Sequence, residues 1–373
     1  MALSRKWKIR DFCDLVKGNS PTLKTEPGEY PLVVTADFRR SSNDFQFDVE
    51  AVCIPLVSST GHGNAAIHRV HYQSGKFALA NIMVALIPNN LELCYPKYLY
   101  YLLQSSKDHV LVPLMKGTSN VSLKVKDIAE VELYLPTLEN QIEAVSKIDE
   151  ALAKVNEVKS LRHSLIMESN AFLQSVFQKV IEGADYQKME DVAPVVRRKV
   201  EIDIDGEYPE LGARSFGKGI FHKPTLNGFE LDWQKLYAVH DGDLVISNIK
   251  AWEGAIAAAG PKDHGRVGSH RYLTCLPKPG VTTAKFLSFY LLSNQGIAKV
   301  QAASPGSADR NRTLAIKRLE KIEVPIPDFD TQLWFSQLLD GVEQIKQVQE
   351  SNRLELEALV PAILDKAIKG KLV

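Results

Sequence analysis

Apolar positions recur along the chain with two periods, and the change from one to the other happens twice. Ala51–Val57, Lys76–Pro88, Gly242–Ile249 and Arg271–Pro277 are short runs rich in apolar and β-branched residues, and they predict strands. A Tyr/Phe/Leu-rich stretch, Pro96–Ser105 in one half and Ala284–Ser293 in the other, predicts a helix. Val131-Glu132-Leu133-Tyr134-Leu135-Pro136 and Ile322-Glu323-Val324-Pro325-Ile326-Pro327 then read as strand-like alternation. After each closing proline the spacing lengthens. Val145, Ile148, Leu152 and Val155 fall at gaps of three and four, as do Leu338, Val342 and Ile345, then Leu356, Leu359 and Ile363. From 137 to 183 and from 328 to 370 only Gly183, Gly341, Pro361 and Gly370 interrupt this pattern. Two helices of about 40 residues, about 60 Å each, are predicted.

The two halves are copies of one plan. Gly28-Glu29-Tyr30-Pro31 recurs as Gly206-Glu207-Tyr208-Pro209, and Phe38 is answered by Phe216 at the same offset. Lys97–Leu103 is answered by Lys285–Leu291; Ile128, Val131, Leu133, Leu135, Pro136 and Gln141 match Leu319, Ile322, Val324, Ile326, Pro327 and Gln332. Three such pairs in one order mark a tandem repeat. Helices this long cannot bury their stripe on a small globule, so each is expected to pack against the other. Pairing should be antiparallel, because each helix leaves its own globule and the chain must return to build the next. Gln349 and Asn352 fall where the heptad wants apolar residues, either fixing register or marking a local slip. The expected fold is α+β: two globular domains of mixed β-sheet with small helices, joined by two long helices forming an antiparallel coiled coil, with pseudo-two-fold symmetry. Its boundaries are 1–136, 137–183, 184–327 and 328–373.

Composition alters little, and charge alters more. At 373 residues the chain exceeds what one core usually organises, and 45% apolar with 24% charged residues is ordinary for globular protein. The first residues are charged and lack a signal-peptide core. The longest apolar stretch, near Ala78–Ile87, is too short and polar for a bilayer, so a cytoplasmic protein with no membrane partner is expected. Cys13, Cys53, Cys94 and Cys275 are scattered and read as reduced packing residues. The net charge of zero hides a partition. Residues 206–318 hold 15 Lys and Arg against 9 Asp and Glu, whereas both helical stretches are acidic.

At this point the chain resembles the specificity (S) subunit of type I restriction-modification enzymes over essentially its whole length. The resemblance rests on two variable regions, each closed by a hydrophobic-Pro-x4-Gln element (Leu135-Pro136 to Gln141; Ile326-Pro327 to Gln332) and a long helix. It also rests on Gly242–Ile249, Trp252–Ala255, Gly268–Arg271, Leu56–Gly63 and Gly306-Ser307 with Arg310-Asn311-Arg312. The helix starts depart from the family's common Glu-Gln, with Asn140-Gln141 and Thr331-Gln332. What the resemblance implies is a non-catalytic subunit whose two target-recognition domains each read half of a bipartite site on double-stranded DNA, with the rod as spacer. It further implies docking of two methyltransferase subunits, which bring S-adenosylmethionine and adenine N6-methylation, and through them two restriction subunits, which bring ATP and Mg.

The chain's own motifs fit a part without cofactor or catalysis. It has no Asn/Asp-Pro-Pro-aromatic loop and no Gly-x4-Gly-Lys-Ser/Thr phosphate loop. Gly61-His62-Gly63 and Gly217-Lys218-Gly219 read as turns, Glu157-Val158-Lys159 as solvated helix charge, and no histidine pair has HExxH spacing. Base reading needs donors and acceptors at groove edges; phosphate gripping needs cations and hydroxyls. In the first globule these are Thr35, Arg39 and Arg40; Ser58, Ser59, Thr60, His62 and Asn64; and Lys116, Ser119, Asn120 and Lys124. In the second they are Arg214, Lys218, His222 and Lys223; Asn248, Lys250 and Trp252; Ser269, His270 and Arg271; and Arg310, Asn311 and Arg312. A rival reading from the same pattern is a coiled-coil scaffold for protein partners, which steep salt dependence of DNA binding would distinguish.

Overall fold

The computed structural model describes residues 5–60, 63–231, 234–306 and 312–371. The chain divides into two units, residues 1–163 with 350–373, and residues 164–349.

In the first unit the strands are β1 (Arg5–Lys8), β2 (Cys13–Lys17), β3 (Tyr30–Val33), β4 (Arg40–Ser42), β5 (Phe47–Asp48), β6 (Ala51–Pro55), β7 (His71–Gln73), β8 (Lys76–Leu79), β9 (Met83–Pro88) and β10 (Glu132–Leu135). Helices α1 (Pro96–Val110) and α2 (Val125–Ala129) precede α3 (Leu138–Val180). Two four-stranded sheets form, ordered β2-β9-β6-β7 and β4-β3-β8-β5, with β3 and β8 parallel; β1 and β10 make an antiparallel ribbon. Strand β6 is buried along its whole length because its two faces serve two cores. Val52 and Ile54 pack with Leu99 and Leu103 of α1, while Ala51 and Cys53 pack with Leu32, Phe77 and Leu79. Val84 and Leu86 against Met83 and Ala85 divide β9 in the same way. A strand covered on both sides reads as a continuous apolar run, which is how Ala51–Val57 and Lys76–Pro88 look in the sequence.

The second unit repeats this plan with β11 (Asp185–Lys188), β12 (Val195–Val196), β13 (Glu207–Ala213), β14 (Ile220–Asn227), β15 (Leu236–Ala238), β16 (Leu244–Ser247), β17 (Ile256–Ala258), β18 (Val267–Ser269), β19 (Tyr272–Cys275) and β20 (Glu323–Ile326). Its helices are α4 (Met189–Val192), α5 (Ala284–Leu292), α6 (Asn294–Ala303), α7 (Ile316–Leu319) and α8 (Phe329–Ser351); α9 (Arg353–Ile368) follows in the first unit. The sheets are β12-β19-β16-β17 and β14-β13-β18-β15, with β13 and β18 parallel, and a β11–β20 ribbon. Each strand therefore has a counterpart in the same place, down to the one parallel pair per unit.

The glutamine that ends each hydrophobic-Pro-x4-Gln element fastens helix to globule. Gln141, fully buried, donates through Nε2 to the carbonyls of Leu93 (2.8 Å) and Pro136 (2.9 Å) and accepts at Oε1 from the Tyr95 amide (2.8 Å). Gln332, also fully buried, donates to the carbonyls of Val281 (2.9 Å) and Pro327 (2.9 Å) and accepts from the Thr282 hydroxyl (2.8 Å). Eight residues on, Asp149 meets Lys97 and Asp340 meets Lys285, each at 2.6 Å. Heptad positions complete both junctions. Val145 and Ile148 pack with Leu364 and Ala367 in the first unit, and Leu173 and Phe177 with Phe335 and Val342 in the second.

One expectation needs correction. The first helical region is a single helix, but the second, expected to run unbroken from 328 to 370, is two helices interrupted at Asn352. Ser351 and Asn352 are adjacent residues with short polar side chains, a type that disfavours the helix interior. Gly341 and Pro361 lie inside α8 and α9 without ending them.

All four cysteines are buried and unpaired, and burial pushes the thiols of Cys53, Cys94 and Cys275 up to about 12, far from reactive thiolates. His71 on β7 is 4% exposed, with Nδ1 3.0 Å from Arg39 Nη1. Burial, then the charges of Arg39 and Arg69, hold its imidazole down at about 4. Since the arginine must donate, Nδ1 accepts and the ring is neutral in the fold. Unfolded chain takes up a proton below about pH 6.5, so His71 contributes full stability above that value and loses it as pH falls towards 4. The drop in melting temperature from pH 7 to pH 5 should shrink in His71→Gln; an unaltered drop would contradict this assignment.

Candidate nucleic-acid interface

In the first unit, the loop after β6 and the loop before α2 are stitched together, which brings two sequence-separated groups to one place. Ser58 donates its amide to the Val121 carbonyl at 3.0 Å, and Val57 bridges Ser122. Ser58, Ser59, Thr60, Ser119 and Asn120 consequently line one cleft of about 850 Å³. The Ser58 hydroxyl donates to the Asn64 carbonyl (2.6 Å), as does that of Thr60 (3.2 Å), and Ser59 Oγ accepts from the His68 amide (3.1 Å). These bonds shape the loop and leave side chains of Ser119, Asn120, Lys116 and Lys124 exposed beside it. Lys116 is fixed by two backbone bonds with Ser122, each 2.9 Å, and Lys124 stands immediately before α2.

The third group of this unit is partly turned inward. Arg39 gives its guanidinium to Gln73 Oε1 (2.9 Å), the Tyr72 carbonyl (3.2 Å) and His71, and Arg40 donates to the Thr22 carbonyl (2.7 Å). Thr35 is half-buried next to them.

In the second unit four groups meet. Asn248 donates its amide to the Arg271 carbonyl (2.8 Å) and accepts from the Leu314 amide (2.7 Å), which ties the segment after β16 to the turn before β19 and to the chain beyond Arg312. Lys250 Nζ and the Arg312 guanidinium lie 5.3 and 5.0 Å from the centroid of Trp252, whose Nε1 donates to the Ile249 carbonyl. The Arg214–Lys218 turn rests on the same segment. Ser215 Oγ donates to Glu253 Oε2 (2.8 Å), Phe216 N to the Glu253 carbonyl (2.8 Å) and Gly217 N to the Gly254 carbonyl (2.9 Å). Arg214, Lys218, His270 and Arg271 are exposed, and Ser269 Oγ accepts from the Arg271 amide at 3.4 Å. His222 and Lys223 stand apart on β14, engaged by Asp263 and Glu210 at 2.8 Å each. His62, Arg310 and Asn311 lie outside the described residues.

Two arginines that sequence reasoning passed over organise this surface from beneath. Arg197 donates to the carbonyls of Tyr272 (2.8 Å) and His270 (3.4 Å), with its guanidinium 3.6 Å from the Tyr237 ring centroid. Arg198 grips the fully buried carboxylate of Asp243 in a fork, at 2.6 and 3.1 Å. The adjacent pair Arg197-Arg198 was the available signal, but nothing local distinguishes it from solvated charge. Among the described residues no group of three His, Cys, Asp or Glu could hold a metal ion, and no helix is long and apolar enough to cross a membrane.

Residues 4–161 match the family model described as the type I restriction modification DNA specificity domain. No curated protein matches the chain. Among solved structures, the S subunit of a type I restriction-modification system from M. genitalium aligns over 98% of this chain and 96% of its own, at 15% identity and TM-score 0.51. The HsdS subunit from Thermoanaerobacter tengcongensis covers 98% and 97%, at 16% identity and TM-score 0.56. A chain from a study of complex assembly and conformational transition of the type I R-M system covers 98% of both, at 18% identity and TM-score 0.64. At these identities the structures establish shared fold, and the family model establishes kinship for the first globule. Residues 4–161 are therefore similar to the type I restriction modification DNA specificity domain, and the second unit repeats the architecture of the first.

Proposed function

We propose that this chain reads a bipartite site on double-stranded DNA, the domain at 1–136 taking one half and the domain at 184–327 the other. The helical segments 137–183 and 328–373 pair as an antiparallel coiled coil that sets the spacer. They dock two methyltransferase subunits for adenine N6-methylation and, through them, restriction subunits. The observation that carries this reading is a topology duplicated strand for strand while the loops differ. A split site with two unlike halves calls for that arrangement; a scaffold does not.

The Ser58–Thr60 and Ser119–Asn120 cleft and the Asn248, Lys250, Trp252, Arg271 and Arg312 cluster are the contact surfaces in this proposal. Arg271→Ala and Arg312→Ala should each weaken binding of the assembled methyltransferase about 10- to 100-fold. A bidentate guanine contact would lose preference at one base; a phosphate contact would lose affinity uniformly and flatten the salt dependence. Mapping methylated adenines in cells carrying each variant, alongside binding to cognate and half-site-scrambled duplexes, tests the proposal. Unchanged affinity and unchanged methylated sites in both variants would remove the second domain's assignment.

A further inference from the structure

Phe38 and Phe216 occupy the same position of the repeat, eight residues after the tyrosine of Gly-Glu-Tyr-Pro, and both rings are exposed, 62% and 74%. Leaving a phenylalanine in water forgoes the gain of burying it; one such residue is ordinary, but a matched pair asks for a reason. In each case the flanking residues are tied down. Beside Phe38, Asp37 pairs with Arg69 at 2.7 Å and Arg39 is bonded to Gln73 and the Tyr72 carbonyl. Beside Phe216, Ser215 and the backbone amides of Phe216 and Gly217 are held by Glu253 and Gly254.

Phe216 carries a further mark. Its φ is +62°, and it is the sole non-glycine with positive φ among the described residues. A bulky side chain in that region is strained, and a neighbouring contact must offset the strain. Gly217 and Gly219 in the same turn also have positive φ, so glycine there would have been the unstrained choice. The exposed Lys218 has its Nζ 5.9 Å from the ring centroid, whereas Arg214 lies over Phe221 at 5.0 Å and Arg40 donates to the Thr22 carbonyl. An exposed aromatic ring on a turn braced by its own backbone, with a cation beside it at Phe216, matches the chemistry of a nucleic acid, with a phosphate for the cation and bases for the ring.

We infer that Phe38 and Phe216 are paired base-contacting side chains, one for each half-site, each pressing its ring against the bases, with Lys218 beside Phe216 placed to meet a phosphate. This rests on the DNA-reading function proposed above and adds the residues that make apolar contact. Phe216 also lines a cleft with Phe289, Leu292 and Ile297, which makes a docked protein subunit the competing occupant.

The assembly purified through a tag on the full-length chain, titrated with a labelled duplex bearing the mapped site, decides the matter. Phe38→Ala and Phe216→Ala should each weaken binding about tenfold or more with an unchanged slope against salt, because an apolar contact displaces no counterion. Phe216→Trp should retain affinity. Phe216→Gly should bind as weakly as the alanine variant yet melt no lower than wild type, since it relieves the backbone. Full affinity in both alanine variants overturns the inference, as does weak binding accompanied by loss of co-purifying subunits. Wild-type assembly without site-specific binding would instead overturn the DNA-reading function itself, and needs no variant to be seen.

Discussion

Gln332→Leu is expected to lower the melting temperature of the second unit by about 10 °C. The leucine fills a similar volume but leaves the Val281 and Pro327 carbonyls and the Thr282 hydroxyl without their partner. Orphaning buried polar groups costs about 1–3 kcal/mol each, and a total of about 3–5 kcal/mol follows if the junction relaxes in part. For a unit of this size each kcal/mol moves the midpoint by about 2–4 °C. Gln332→Glu should be worse, because its carboxylate can accept from Thr282 but repels two carbonyl oxygens. Gln141→Leu should act in the first unit, through Leu93, Pro136 and the Tyr95 amide. Hydrogen exchange, read separately at the helix starts of α3 and α8, checks both. A shift under about 2 °C in each variant would mean the glutamines occupy these junctions without holding them.

The repeat was legible because duplication writes itself into order and spacing, which need no knowledge of contacts. Gly-Glu-Tyr-Pro leads into β3 and β13, and the paired Lys97 and Lys285 meet Asp149 and Asp340. The glutamines were legible only as members of a motif; their chemistry depends on carbonyls about 50 residues away that no local pattern reveals. The break at Asn352 was visible as a polar residue on the stripe, yet a polar heptad position more often sets register than ends a helix. Residue type alone marks a candidate contact in the sequence, and type does not tell a cation facing solvent from one committed inside. Arg271 and Lys218 are exposed, whereas Arg39, a cation of the same type in the sequence, is bound to three groups of its own fold. Arg197 and Arg198 show the reverse failure, since their partners lie 45 to 75 residues away.

Breaking the Arg198–Asp243 fork should cost more from the arginine side than from the aspartate side. Asp243 is fully buried, whereas the Arg198 side chain is 24% exposed. In Arg198→Ala the carboxylate keeps the His240 amide at 2.7 Å but loses both guanidinium bonds, and an uncompensated buried charge costs about 3–5 kcal/mol. In Asp243→Ala the guanidinium turns to water, and the main loss is the His240 amide's partner, about 1–3 kcal/mol. Replacing both by apolar residues of similar volume, Arg198→Met with Asp243→Leu, should recover much of the difference, since desolvation and attraction nearly cancel in such pairs. The position of Asp243 decides what function follows. It caps the turn into β16, whose far end delivers Asn248, Lys250 and Trp252, so loosening it disorders one proposed contact surface and leaves the Ser58–Thr60 cleft untouched. Methylated-adenine maps of the Arg198→Ala strain should therefore keep the preference for one half-site and relax the other. Equal costs for the two single variants, or loss of both half-site preferences together, would show that the pair is not the local brace its geometry describes.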